Sequence, residues 1–142
     1  MKITLAQICC VAGDVEGNAA KIVEAAHKAK ASSLVIFPEL AVSGMCSAEM
    51  FKSPEFIARC EKALDKIAAE CETVSVLVGC PVEKYNAAVY MFQGQRKVFK
   101  KKYLEDEKGD EQAIRPAVSS VVEPAAGIPH LSGGTSGLLA GE

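Results

Sequence analysis

The nine residues "SSLVIFPEL", Ser32 to Leu40, decide the fold class. Leu34 to Phe37 are continuously apolar, which is typical of a short strand buried on both faces of a sheet. Pro38 ends the strand because proline cannot donate a hydrogen bond to a neighbouring strand. Glu39 follows at once, at the strand's carboxyl end, where α/β sheets gather ligand-binding groups. On these residues alone the default interpretation of Glu39 is an exposed acid in a turn.

Further strands are predicted on both sides of this segment. Lys2 to Ile8 alternates apolar and polar residues and is rich in β-formers, so it is predicted as a strand. "VSVLVGCPV", Val74 to Val82, is a second continuous apolar strand, which we expect Gly79 and Pro81 to bound. A β-hairpin follows and turns through Gln93 to Gln95.

Two amphipathic helices are predicted between the strands. Ala19 to Lys30 repeats apolar residues at helical spacing, with Asn18 as the predicted N-cap. Pro54 to Glu70 forms the second helix, with proline in its first turn. Because each helix has one apolar stripe, both should cover the same face of a mixed sheet. The alternation of strands and helices predicts an α/β fold.

Composition limits the class of protein. A chain of 142 residues with 49% apolar residues and a net charge of −2 indicates one globular domain, residues 1–142. Residues 105–142 form a charged loop and a tail of small residues. The balanced charge argues against nucleic-acid binding, and no apolar run reaches the ~20 residues of a membrane span. No signal peptide, metal site or cofactor site is recognised. The six cysteines are expected to be reduced thiols in a cytoplasmic protein.

Three ordered blocks carry a family resemblance: "VIFPELAVSG", "VLVGCPVEKYNAAVYMFQGQ" and "KKYL". Together with the opening "MKITLAQ", they resemble the nitrilase, or carbon–nitrogen hydrolase, superfamily, and most closely the glutaminase domain of glutamine-dependent NAD synthetase. The resemblance runs from Met1 to about Leu104. It implies a nitrilase-like αββα sandwich, of which this chain has roughly one αβ half, the N-terminal one.

The resemblance also implies site residues and a chemistry. Family members hydrolyse small amides or nitriles with a cysteine nucleophile, a glutamate base and a lysine that stabilises the oxyanion. Glu39 matches the base and Lys101 the lysine, whereas Lys100 and Lys102 fit a solvated basic edge. Glu111 is the nearest match to a further glutamate that positions the substrate. A loop glutamate among other acids is also compatible with plain solvation.

The nucleophile is missing from its expected position. In the family it follows a strand that "GLLAGE", Gly137 to Glu142, resembles, and by that resemblance Gly141 stands where the cysteine would be. The alternative is an unrelated tail of small and apolar residues that matches by chance. The first hypothesis is therefore a hydrolase of the amidase or glutaminase type with impaired activity, unless another chain or one of the six cysteines supplies the thiol. The second is a truncated, non-catalytic remnant that acts as a binding or assembly module. The third is a generic α/β domain.

The sequence also predicts self-association. The strands "SLVIF" and "VSVLVG" are apolar on both faces, but the two helices can cover only one face. A wide apolar sheet face is seldom left in water. We therefore expect a homo-oligomer, most simply a two-fold dimer that buries the uncovered face.

Overall fold

The computed structural model describes residues 1–101, so the loop and tail at 105–142, Glu111 and Gly141 lie outside the described residues. The described part contains a five-stranded sheet and three helices. The elements in chain order are β1 Ile3–Leu5, α1 Val15–Lys28, β2 Leu34–Ile36, α2 Ala48–Lys52, α3 Pro54–Glu70, β3 Val76–Val82, β4 Tyr85–Phe92 and β5 Gln95–Lys100.

The sheet is mixed, as predicted. Its strands lie in the order β1-β2-β3-β4-β5, with β1, β2 and β3 parallel and the β3–β4 and β4–β5 pairs antiparallel. The β4–β5 hairpin turns at Gln93 and Gly94, which both adopt positive φ angles of 49° and 73°. The predicted hairpin is therefore confirmed, and it brings the chain back along β4 towards the carboxyl end of β3.

Both long helices pack on one face of the sheet, which confirms the prediction that they share a layer. α1 and α3 contact each other, and their apolar stripes join the helix-facing residues of the strands in one core. The largest buried side chains include Ile22, Leu64 and Ile67 from the helices and Val76 and Val89 from the strands. The result is one αβ layer pair, as expected for an α/β fold.

The opposite side of the sheet, here called the second face, carries its own apolar cluster. Leu34 and Tyr90 are its buried members, with Ile3, Ile36, Leu77, Phe92 and Phe99 half-buried around them. No residue of the described helices belongs to this cluster. Within residues 1–101, no helix is long and apolar enough to cross a membrane.

Three boundary predictions were wrong. Helix α1 begins at Val15, because the carboxylate of Asp14 accepts a hydrogen bond from the Gly17 N–H at 3.1 Å, and Asn18 is therefore inside the helix instead of capping it. β1 is shorter than the strand predicted over 2–8. Gly79 and Pro81 lie within β3 instead of bounding it.

The short helix α2 was not predicted. Ser47 caps it, and its five residues are too few to show helical periodicity. It lies directly before α3, whose predicted bounds are confirmed. Ser53 caps α3 and proline occupies its first turn.

Candidate functional site

The turn after β2 presents Glu39. The N–H of Phe37 donates to the Leu77 carbonyl at 2.9 Å, so the chain stays on the sheet to the end of the strand. Leu40 then adopts a left-handed φ of 52°, and its carbonyl accepts a hydrogen bond from the Gly44 N–H at 2.8 Å. This tight turn leaves the side chain of Glu39 61% exposed at the sheet edge.

Gly79 in β3 lets this turn approach the sheet. A Cβ atom at position 79 would lie 2.6 Å from the Pro38 carbonyl oxygen and 2.7 Å from the Cα of Glu39. Such separations are too short for real contacts, so any side chain at position 79 would displace the turn. The N–H of Val42 also donates to the Gly79 carbonyl at 3.1 Å, which fastens the far side of the turn.

Lys101 meets Glu39 across the sheet edge. Its backbone N–H continues the hairpin by donating to the Asn86 carbonyl at 2.7 Å. Its ammonium nitrogen Nζ lies 3.6 Å from Oε1 of Glu39, and its side chain is 21% exposed. Lys100 has different partners, since its Nζ lies 2.7 Å from Oε2 of Glu83 and 5.0 Å from the Tyr85 ring centre. The two side chains expected at the site are therefore close together, while their catalytic roles stay a prediction.

A third residue, Asn86, completes the polar group and was not predicted. Its side-chain amide Nδ2 donates a hydrogen bond to Oε1 of Glu39. Asn86 belongs to one of the blocks that carried the family resemblance. Nothing in its local spacing shows that the hairpin register would set it opposite Lys101.

These three residues line a cleft of about 960 Å³. Its apolar walls include Phe51, Ile57 and Tyr85, and charged residues such as Lys52, Glu61 and Lys84 stand around it. Helices α2 and α3 thus form the wall opposite the sheet edge. A concave, mostly apolar cleft with a few convergent polar groups is the usual form of a small-molecule site.

No cysteine lines this cleft. All six cysteines of the chain fall within the described residues, and none is among the residues that form its wall. Contact with the Cys60 thiol, together with burial, raises the pKa of the Cys80 thiol, and burial raises the pKa of Cys71 to about 11. Cys46 donates its S–H to the Ser43 carbonyl at 3.2 Å. Because the thiolate is the nucleophile, Cys71 and Cys80 are poor candidates for catalysis. The contact with Cys80 instead lowers the pKa of the Cys60 thiol, but Cys60 is buried and does not line the cleft.

Residues 1–101 contain no group of three His, Cys, Asp or Glu side chains arranged to hold a metal ion.

A family profile described as "Carbon-nitrogen hydrolase" matches residues 2–115. The chain is 34% identical over 111 residues to a glutamine-dependent NAD(+) synthetase of Aquifex aeolicus, a match that covers 73% of this chain and 20% of that protein. It thus spans about a fifth of that relative's length. Gly141 lies outside the matched residues.

Solved structures share the fold. A glutamine-dependent NAD(+) synthetase of Cytophaga hutchinsonii superposes with a TM-score of 0.68 at 24% identity, covering 75% of this chain and 20% of that one. An amidase of Nesterenkonia sp. superposes with a TM-score of 0.65 at 20% identity, covering 77% of this chain and 45% of that one. The described sheet and helices therefore have the nitrilase-superfamily fold.

Proposed function

The chain belongs to the carbon–nitrogen hydrolase family, and from this we propose that it binds a small primary amide of the glutamine type. The observation that carries the proposal is the 3.6 Å approach of the Lys101 ammonium to the Glu39 carboxylate at the wall of the cleft. The carboxylate and the ammonium together match the two ends of an amide. The amide NH₂ donates to Glu39 and the amide carbonyl accepts from Lys101.

The same pair would serve hydrolysis if a thiol were present. Glu39 would take the proton from the thiol as it attacks the amide carbon, and Lys101 would stabilise the negative charge that develops on the oxygen. Binding and catalysis thus use the same two groups, but only catalysis requires the sulfur.

Hydrolysis by this chain alone is impaired in our proposal. No native cysteine lines the cleft. By the resemblance of "GLLAGE" to the family's nucleophile strand, we assign Gly141 to the position of the nucleophile. Loss of the nucleophile from such a group of residues removes most of the rate enhancement, because its members act as a unit. Activity would then require a thiol that the wall of the described cleft does not supply.

The second candidate function is a non-catalytic binding or assembly module. The absence of cysteine from the cleft wall favours it over an active hydrolase. The two functions differ in one measurable property, the release of ammonia from a bound amide.

The binding proposal is tested by titrating the full chain with glutamine and with acetamide, using calorimetry and an ammonia assay in parallel. We expect glutamine to bind, with little ammonia released. Glu39→Gln and Lys101→Met should each weaken binding by about ten-fold or more, because each removes a charge-assisted hydrogen bond.

Lys100→Met is the matched control, since Lys100 pairs with Glu83 instead of Glu39. It should leave binding within about two-fold of wild type, as expected for an exposed ion pair. No glutamine binding to the folded wild-type chain, or equal losses in the Lys100 and Lys101 variants, would contradict the proposal.

The role of Gly141 has its own test. In Gly141→Cys, an electrophilic glutamine mimic should alkylate the introduced thiol stoichiometrically, as followed by intact mass and peptide mapping. Adding Lys101→Met to that variant should slow the labelling. If the introduced thiol is labelled no faster than exposed Cys9, Gly141 does not take the place of the nucleophile. Rapid labelling of a native cysteine in the wild-type chain would instead support an active enzyme.

A further inference from the structure

We propose that Asn86 is the positioning residue of this site, which holds the Glu39 carboxylate so that its second oxygen faces the bound amide. The role that we assign to Glu39 and Lys101, binding an amide, rests on the proposed function. The contacts of Asn86 with these two residues do not depend on it. Asn86 is a half-buried residue of β4. It directly precedes Ala87, which pairs with Lys100 of β5.

Asn86 contacts both members of the pair through different groups. Its backbone carbonyl accepts the Lys101 N–H at 2.7 Å, which fixes where the Lys101 side chain leaves the strand. Its side-chain Nδ2 donates to Glu39 Oε1. An ionised carboxylate only accepts hydrogen bonds, so the Asn86 side chain must present its NH₂ group and not its oxygen to Glu39.

Asn86 and Lys101 both act on one oxygen of Glu39. The Nδ2 of Asn86 donates a hydrogen bond to Oε1, and the Nζ of Lys101 forms an ion pair with the same atom at 3.6 Å. Among residues 1–101, neither group is paired with Oε2. The second oxygen is thus the one left to accept a hydrogen bond from an amide or a proton from a thiol. A carboxylate free to rotate would present either oxygen, so the arrangement depends on the contact at Oε1.

Lys101 alone is a weak restraint on Glu39. The glutamate side chain is long and 61% exposed, and exposed ion pairs contribute little because water screens them and side-chain entropy opposes them. The side chain of Asn86 is shorter and starts from a paired strand, so less conformational freedom is lost when it holds the carboxylate. We therefore assign the orienting role to the Asn86 side-chain amide and not to the Glu39–Lys101 ion pair.

Zero-length cross-linking with a water-soluble carbodiimide measures this arrangement without a bound amide. The reagent converts the Glu39 carboxylate into an activated ester. The Lys101 amine attacks the carbonyl carbon of this ester, the reagent leaves as a urea, and an isopeptide bond joins the two side chains. Peptide mass spectrometry then reports the yield. The Glu83–Lys100 pair, at 2.7 Å on the same hairpin, is an internal control in each sample.

We expect Asn86→Ala and Asn86→Leu to lower the Glu39–Lys101 yield by about three-fold or more, the effect of losing a hydrogen bond to an exposed charge. The Glu83–Lys100 yield should not change. Asn86→Ala should also weaken glutamine binding, but add nothing in a Glu39→Ala background, because it acts through Glu39. An unchanged Glu39–Lys101 yield, or a further loss of binding in the Glu39→Ala background, would overturn the proposal.

The wild-type fold gives a second measurement that needs no change at position 86. The chain has two asparagines, Asn18 and Asn86, whose side-chain NH₂ signals triple-resonance NMR separates from those of the four glutamines. In Glu39→Ala the Asn86 signal should move and the Asn18 signal should not, and an unmoved Asn86 signal would overturn the contact. If the contact is present but glutamine does not bind, the proposed function fails and the positioning of the pair stands.

Discussion

At the scale of the residue, one buried side chain joins two loops. The Asn18 side chain is fully buried and makes three hydrogen bonds to backbone groups. It accepts from the Val11 N–H at 2.8 Å and donates to the carbonyls of Val11 at 2.8 Å and Val42 at 3.0 Å. The loop after β1 is thereby tied to the segment that follows Glu39. An asparagine at this position looks like a helix cap in the sequence, because only the fold reveals what its side chain meets.

We predict that Asn18→Ala lowers the free energy of unfolding by about 1–3 kcal/mol, since the buried Val42 carbonyl and the part-buried Val11 N–H both lose the Asn18 side chain as a partner. Urea denaturation followed by circular dichroism measures the change. Glu24→Ala is the control. It removes only an exposed ion pair with Lys28 and should cost less than about 0.5 kcal/mol. A loss for Asn18→Ala as small as the control's would show that the hydrogen bonds of Asn18 are not needed for stability.

The candidate site could be predicted from sequence only in part. Glu39 and Lys101 each follow a strand pattern and match family positions, so the sequence alone points to both as candidates. Asn86 was not, because its role depends on a register that pairs Ala87 with Lys100 across the hairpin. Residues that act through long-range pairing leave no local signal of their own.

At the scale of the element, Pro81 shows why a local rule failed. Backbone groups of Leu77 and Gly79 point towards the β2 side of β3, as their hydrogen bonds with Phe37 and Val42 show. Pro81 is two residues after Gly79, so its backbone groups point to the same β2 side. Its missing N–H therefore removes no hydrogen bond to β4. Proline within a strand pattern is thus tolerated beside a strand that has already ended. By contrast, the cap and proline of α3 act locally, and its bounds were predicted correctly.

Gly79 gives a prediction at this scale, because it sets how closely the β2 turn packs on β3. Gly79→Ala should cost about 1–3 kcal/mol through overpacking, and should lower the Glu39–Lys101 cross-link yield because the turn that carries Glu39 is pushed away. Gly94→Ala is the matched control. An added Cβ there meets no atom within 4 Å, so only the strain of its positive φ remains and the cross-link should persist. Equal cross-link yields in the two variants would refute this account of the turn.

At the scale of the whole molecule, the two faces of the sheet differ in what covers them. The helices supply an apolar layer for one face, whereas the cluster on the second face is built from strand residues alone. Leu5, on the edge strand beside Ile36, is 77% exposed. A nitrilase-like αββα sandwich packs sheet against sheet, and these residues form one αβ half of it.

We predict that two copies of the chain pair through the second face, because the same apolar patch can pack against its own copy about a two-fold axis. Each apolar side chain that becomes fully buried favours dimer formation by about 1.5–3 kcal/mol of free energy. Several such residues together can exceed the entropic cost of association. Sedimentation at low micromolar concentration should therefore give twice the mass of one chain. Leu77→Lys, at the centre of the face, should yield a folded monomer, while Val11→Lys, in an exposed loop, should remain dimeric. A stable wild-type monomer would mean that residues 102–142 or another protein cover this face instead.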